Sequence, residues 1–186
     1  AGRFFSPEDE AKWIVDKVMA FREKDVALSD MAVLYRSTFH SNYIQTELLR
    51  RQIPYVVYGG IRFSERRHVK DIVAFMRLVV NPVDGVAWNR ILRLVPGVGP
   101  ASSARIIAAV RERDGIDLSG LGTKRTAPAL AELQTVIGSA ASEDLAPVEV
   151  LGLLKAYYVE LMKETYDDWD RRAIDIEVLE TLAARY

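Results

Sequence analysis

The stretch MAVLYRSTFHSN, residues 31–42, decides how the chain is read. It begins as a short apolar run of strand character and passes through Tyr35 and Arg36 into helix formers. A strand followed at once by a helix is the local signature of α/β construction, and open α/β sheets bind ligands at the strands' C-terminal rim. A second run of the same kind, IPYVVYGG at 53–60, closes on two glycines that suit a turn. Between the two runs the spacing predicts a helix over 41–51, with Ile44, Leu48 and Leu49 inward. Upstream, SPEDEAKWIVDKVMAF predicts a helix capped by Ser6, with Pro7 in its first turn and Glu8, Asp9 and Glu10 at its positive end.

A further helix over 65–80 buries Val69, Ile72, Val73, Met76 and Val80 and stops before Asn81 and Pro82. Past Pro82 no strand is expected. Helices are predicted over 86–95, 101–113, 129–136, 148–164 and 171–184, with a turn-rich tract, DGIDLSGLGTKRTAP, between the second and third. The expected fold is therefore α/β: a piece of parallel sheet in residues 1–82, then an all-helical part over 83–186. Two strands make a very small parallel sheet, and each needs neighbours on its edges. Further strands are expected either within segments read as helix or outside this chain.

Composition excludes more than it selects. Hydrophobic residues at 49% and charged residues at 27% suit a globular domain. Cysteine is absent, which removes disulfides, thiolate metal sites and a cysteine nucleophile. No apolar run reaches the roughly 18–20 residues that cross a bilayer, and no signal-peptide core is seen, so a cytoplasmic protein without a membrane partner is expected. Charge is uneven: residues 1–83 carry 13 basic and 10 acidic side chains, 84–125 carry 7 and 4, and 126–186 carry 5 and 12. A phosphate backbone would prefer the first two-thirds of the chain.

Three segments carry candidate chemistry. Tyr35 and Arg36 pair a ring able to stack on a purine with a permanently charged fork for phosphate oxygens. The alternative is a tyrosine packed on the following helix and an arginine paired with a carboxylate. The second segment is RLVPGVGPASSARIIAAV, residues 93–110, where a Pro-Gly-Val-Gly turn joins two amphipathic helices. Gly97 and Gly99 permit a tight hairpin, Val98 plugs the seam, and Arg93 and Arg105 flank it. Such a helix-hairpin-helix element grips duplex DNA by its phosphates without reading bases; a plain turn between packed helices is the alternative. The third, YGGIRFSERRHVKDI, gathers Arg62, Arg66, Arg67 and Lys70 around Phe63, a set able to hold a single strand if the ring is exposed and a structural anchor if it is buried.

Other chemistry finds little support. The two histidines, His40 and His68, have no ligand-spaced partners, so no metal site is expected. Asp167, Asp168 and Asp170 lack the spacing of a calcium loop, and no Gly-x-x-x-x-Gly-Lys-Ser/Thr loop occurs.

Taken together, these pieces closely resemble superfamily 1A DNA helicases of the UvrD/PcrA/Rep type over about residues 6–110. The resemblance lies in the Tyr-Arg strand, Ile-Pro-Tyr with Tyr-Gly-Gly, Phe-x-Glu-Arg-x-x-x-Lys-Asp, Asn-Pro and Gly-Val-Gly, in that order. It implies a partial RecA-like sheet of the P-loop NTPase type: the first part of motor domain 2A over 1–82, then the beginning of accessory domain 2B over 83–186. It implies an ATP-dependent 3′–5′ helicase acting on single-stranded and duplex DNA in repair or replication, with possible protein partners through 2B. By the same resemblance Tyr35 stacks on adenine, Arg36 touches the γ-phosphate as a catalytic residue, and Gly97, Val98 and Gly99 meet the duplex. ATP and Mg2+ would serve the full-length protein. The Mg2+ ligands, domains 1A and 1B and the rest of 2A would lie outside this chain, which is expected to bind no cofactor and to be inactive alone.

The sequence departs from the family pattern in three places. Ser37–Asn42 replaces the usual run after Tyr-Arg, His68 replaces a glutamate, and Pro96 replaces an arginine before the hairpin. A non-enzymatic DNA-binding module, or a structural or protein-interaction segment, are the competing readings.

Overall fold

The structure, a computed structural model, describes residues 3–58, 60–113, 115–142 and 144–184; Gly59 of the expected turn and Asp114 of the expected loop lie outside them. Its elements are helices: α1 (Pro7–Arg22), α2 (Thr38–Arg50), α3 (Arg67–Val80), α4 (Gly85–Leu92), α5 (Pro100–Arg113), α6 (Ala127–Ser142), α7 (Pro147–Thr165) and α8 (Trp169–Ala183), with single 3-10 turns at Leu28–Asp30 and Phe63–Glu65. Two compact units form, residues 1–66 and 67–186. The division falls earlier in the chain than the boundary drawn at Pro82, because α3 packs with the helices that follow it.

Among the described residues there is no strand. This corrects the expected α/β class, the partial RecA-like parallel sheet and the assignment of residues 1–82 to motor domain 2A. The two apolar runs that suggested strands remain extended segments without a hydrogen-bonded ladder. Strand propensity becomes a strand only when a neighbouring backbone takes up the amides and carbonyls. Neither run is buried as a central parallel strand would be: Leu34 is 94% exposed and Tyr58 90%.

In the first unit, Ser6 caps α1 as expected, its Oγ accepting from the Asp9 amide at 3.1 Å. α2 starts earlier than expected because Ser37 caps it, accepting from Phe39 N–H at 3.3 Å. The buried face of α2 is largely polar: Ser41, Gln45, Thr46 and Glu47 lie inward with Ile44, while Leu49 is exposed. Ser41, Gln45 and Glu47 are put to use, whereas the Thr46 hydroxyl has no hydrogen-bond partner among the described residues. Gln45 Nε2 donates to Ser41 Oγ at 3.2 Å, and Gln45 Oε1 accepts from the Phe63 amide at 2.8 Å. Glu47 accepts from Arg50 and Arg51, and Arg51 reaches on to Asp16 of α1 at 2.6 Å. A side-chain scaffold on α2, rather than a β-ladder, therefore positions the segment that leads to Phe63.

The second unit has a helical core in which α3 is central, packing on α4, α6, α7 and α8. Ile72, Phe75, Leu78, Trp88, Ile91, Leu92, Leu133, Ile137, Leu154, Tyr158, Met162 and Ile176 are all buried there, each large apolar side chain contributing roughly 1.5–3 kcal/mol. The buried stripe of α3 is rotated from the expected one: Val73 and Val80 face out, whereas His68 and Asp71 face in. Both polar groups are satisfied. Asp71 accepts from Arg90 Nε at 2.6 Å and from the Tyr158 hydroxyl at 2.7 Å, and His68 pairs with Asp175. The Asp84 side chain caps α4, accepting from Val86 and Ala87 amides at 3.0 and 3.1 Å, and the indole of Trp88 donates to the Pro82 carbonyl at 2.6 Å. The position and direction of α4 are thereby fixed, and with them the start of the hairpin.

Candidate nucleic-acid interface

The hairpin joins α4 to α5. After Leu92 the chain tightens, with Leu94 and Val95 amides donating to the carbonyls of Ile91 and Leu92 at 2.9 and 3.3 Å. The Val98 amide then closes on the Val95 carbonyl at 3.1 Å, and the Gly99 carbonyl accepts from Ser103 to begin α5. Gly97 has φ 84°, in the left-handed region where a side chain is penalised. A Cβ there would also come 3.1 Å from Thr126 Cγ2, so conformation and space both call for glycine. Gly99 is different: nothing lies within 4 Å of where its Cβ would stand. Its bare backbone faces open room that internal packing does not use. Val98 is partly buried against the core, as expected for the residue that plugs the seam.

Of the flanking cations, Arg93 is exposed and carries no ion pair or hydrogen bond among the described residues. Arg105 is exposed but donates to the Leu121 carbonyl at 2.9 Å, tying α5 to the turn before α6. A contribution missed in the sequence comes from that turn. Arg125 lies beside the hairpin, its Nε 3.9 Å from where a Gly97 Cβ would stand. Only the fold brings residues 97 and 125 together; no local pattern signals it.

Phe63 is 2% exposed, which removes it from any base-stacking role. Arg66 covers its ring at 5.7 Å, and Arg62 lies 5.6 Å from the Tyr55 ring and 3.9 Å from Glu65. These three belong to the first unit; Arg67 and Lys70 belong to the second, where Arg67 lies 5.8 Å from the Tyr166 ring. The cluster read as one single-strand platform is thus a buried ring with engaged arginines, and Lys70 is its exposed remainder.

Tyr35 and Arg36 stand at the end of the extended segment before α2. Tyr35 is 42% exposed and Arg36 is exposed, without a carboxylate partner among the described residues. No group of three or more His, Asp or Glu side chains is placed to share a metal ion among the described residues. Asp168 of the acidic cluster accepts from Arg172 at 2.7 Å. Among the described residues no helix is long and apolar enough to cross a membrane.

Residues 2–168 match the UvrD-like helicase C-terminal domain. The chain belongs to this family. Within the UvrD-like group it is similar to DNA helicase II of Haemophilus influenzae, 39% identical over 110 residues that cover 59% of this chain and 15% of that protein. It is similar also to the ATP-dependent DNA helicase UvrD1 of Mycobacterium bovis, 37% identical over 58% of this chain and 14% of the relative. The ATP-dependent DNA helicase PcrA of Leuconostoc citreum is 34% identical over 66% of this chain and 17% of its own length. The chain thus spans a small part of the relatives it matches. UvrD-like kinship stands; the RecA-like sheet drawn from it does not.

Proposed function

We propose that this chain serves an ATP-dependent DNA helicase of the UvrD type, and that its own contribution is duplex binding through the Gly97–Gly99 hairpin. The observation that carries this reading is the open backbone at Gly99 beside the left-handed Gly97, with exposed cations close by. A phosphate needs an approach free of side chains and a positive potential, and this turn supplies both. Nothing in the arrangement offers a base-edge donor set, so binding is expected to be sequence-independent.

Tyr35 and Arg36 fit one wall of a nucleotide site. The ring is free to stack and the guanidinium is free for a terminal phosphate, the remaining walls and any Mg2+ ligands coming from outside this chain. Bound ATP would supply the phosphoryl group whose hydrolysis drives stepping; Arg36 would orient and neutralise it. The chain by itself is expected to hydrolyse no ATP.

The test is duplex binding by the 186-residue chain, followed by fluorescence anisotropy across a salt series. Salt-sensitive binding, weakened at least tenfold by Gly99→Glu with helix content unchanged, is expected. Binding that ignores that substitution overturns the hairpin reading. In the full-length parent, Arg36→Ala should lower ATP turnover with nucleotide binding retained; unchanged turnover removes Arg36 from the site.

A further inference from the structure

We propose that Gln45 is a positioning residue for Arg36: the polar inner face of α2 holds the helix in the one placement at which its N-terminus presents that guanidinium. The inference rests on the nucleotide reading of Tyr35 and Arg36 above and adds a residue that lies outside that pair. Arg36 stands immediately before Ser37, the cap of α2, so it follows wherever the first turn of the helix goes. That helix is not seated by apolar packing in the ordinary way. Ile44 is buried, but Ser41, Asn42, Gln45, Thr46 and Glu47 fill the rest of the inward face. Burying hydroxyls, amides and a carboxylate costs free energy that apolar side chains would not. What polar burial supplies is definition: apolar contacts tolerate small slides and rotations, whereas a buried hydrogen-bond network admits one arrangement.

Gln45 is the node of that network. Its Nε2 donates to Ser41 Oγ at 3.2 Å, and Ser41 Oγ donates in turn to the Thr38 carbonyl, in the first turn of α2, at 2.8 Å. Its Oε1 accepts from the Phe63 amide at 2.8 Å, with the Tyr55 hydroxyl 3.5 Å away. The bond to Phe63 spans 18 residues of sequence and ties α2 to a buried point of the segment that follows it. Farther along the helix Arg51 reaches Asp16 of α1 at 2.6 Å, so α2 is pinned at two places. A slide or rotation large enough to move Arg36 would break the Gln45–Phe63 bond and leave a buried amide unpaired. A guanidinium that meets a terminal phosphate needs such constraint, because a misplacement of about 1 Å in a site costs on the order of a hundredfold in rate.

The readout is ATP turnover by the full-length parent in a double-mutant cycle. Gln45→Leu keeps the bulk and removes both hydrogen bonds; kcat is expected to fall by about tenfold or more, with KM for ATP nearly unchanged. Arg36→Ala should lower kcat at least as far. The combined variant should be no slower than Arg36→Ala alone, because Gln45 acts only through the guanidinium. A merely structural residue would slow both backgrounds by the same factor. If Arg36→Ala lowers kcat but Gln45→Leu does not, or if Gln45→Leu slows the Arg36→Ala background equally, this inference fails and the nucleotide reading stands. If Arg36→Ala leaves turnover unchanged, both fail. Circular dichroism checks that the variants fold; should Gln45→Leu not do so, Ser41→Ala, which removes the partner of Nε2 without adding bulk, carries the same comparison.

Discussion

Nε2 of His68 lies 2.6 Å from a carboxylate oxygen of Asp175, joining α3 to α8 across 107 residues of sequence, with both side chains buried. Arg172 stands on the other side of the ring, its Nη1 3.4 Å from Nδ1. A guanidinium can only donate, so Nδ1 is the acceptor and Nε2 carries the hydrogen given to Asp175. The glutamate that the helicase pattern has at this place would set a carboxylate against Asp175; histidine sets a donor there.

His68→Phe keeps the ring's bulk and removes that bond from a buried carboxylate. A loss of about 1.5–3 kcal/mol is expected, read as a lower urea midpoint for the second unit. A double-mutant cycle with Asp175→Asn should return a coupling between the two positions; additive losses would show that the contact contributes nothing.

Glu47 gives the first unit an acid limit. Hydrogen bonds from Arg50, and then from Arg51, hold its carboxyl at about 2, below the ordinary 4.5. A lowered carboxyl value favours the folded state above about pH 4.5, and that stabilisation disappears as pH falls through about 2. Glu47→Gln should flatten this part of the acid-unfolding curve and cost about 1–2 kcal/mol at neutral pH. An unchanged acid profile would contradict the ion-pair account.

Tyrosine sets the alkaline limit of the second unit. Burial, assisted by the charge of Glu132, raises Tyr157 from 10 to about 12. Tyr158 is raised further by burial and by Asp71, to which it donates. Raised values favour the folded state below about pH 10, and that advantage is lost as pH climbs through about 12. Ultraviolet titration should therefore show Tyr157 and Tyr158 ionising late, with absorbance that appears as the second unit unfolds, beside Tyr55 of the first unit, which burial also raises. Early ionisation of all eight would refute it.

At the hairpin, Gly97→Ala forces a side chain into the left-handed region and against the Thr126 methyl. A cost of roughly 1 kcal/mol or more is expected, whereas Gly99→Ala, with open space around it, should leave stability nearly unchanged. Equal thermal shifts for the two would show that the glycines are not distinguished in this way.

What was legible in the sequence followed from local chemistry. Ser6 and Pro7 marked the start of α1, Asn81 and Pro82 the end of α3, and Pro-Gly-Val-Gly the hairpin, because caps and turns are decided within a few residues. The absence of a sheet is not legible there: Val33, Leu34, Val56 and Val57 have strand character, yet pairing depends on a neighbour that local sequence does not specify. The buried stripe of α3 is hidden from local sequence for a related reason. His68 and Asp71 look like surface residues until Asp175, Arg90 and Tyr158 arrive from distant helices. Phe63 stands among arginines in the sequence and Arg125 in a turn-rich tract, and the fold gives one a buried seat and the other a place beside Gly97.

The indoles have a practical consequence. Trp88, fully enclosed and donating to the Pro82 carbonyl, should emit at short wavelength, whereas half-exposed Trp13 on α1 should emit at long wavelength. They lie in different units. Replacing Trp169 with phenylalanine would leave each unit with its own optical reporter, so that the melting of one could be followed by colour while the other stays folded.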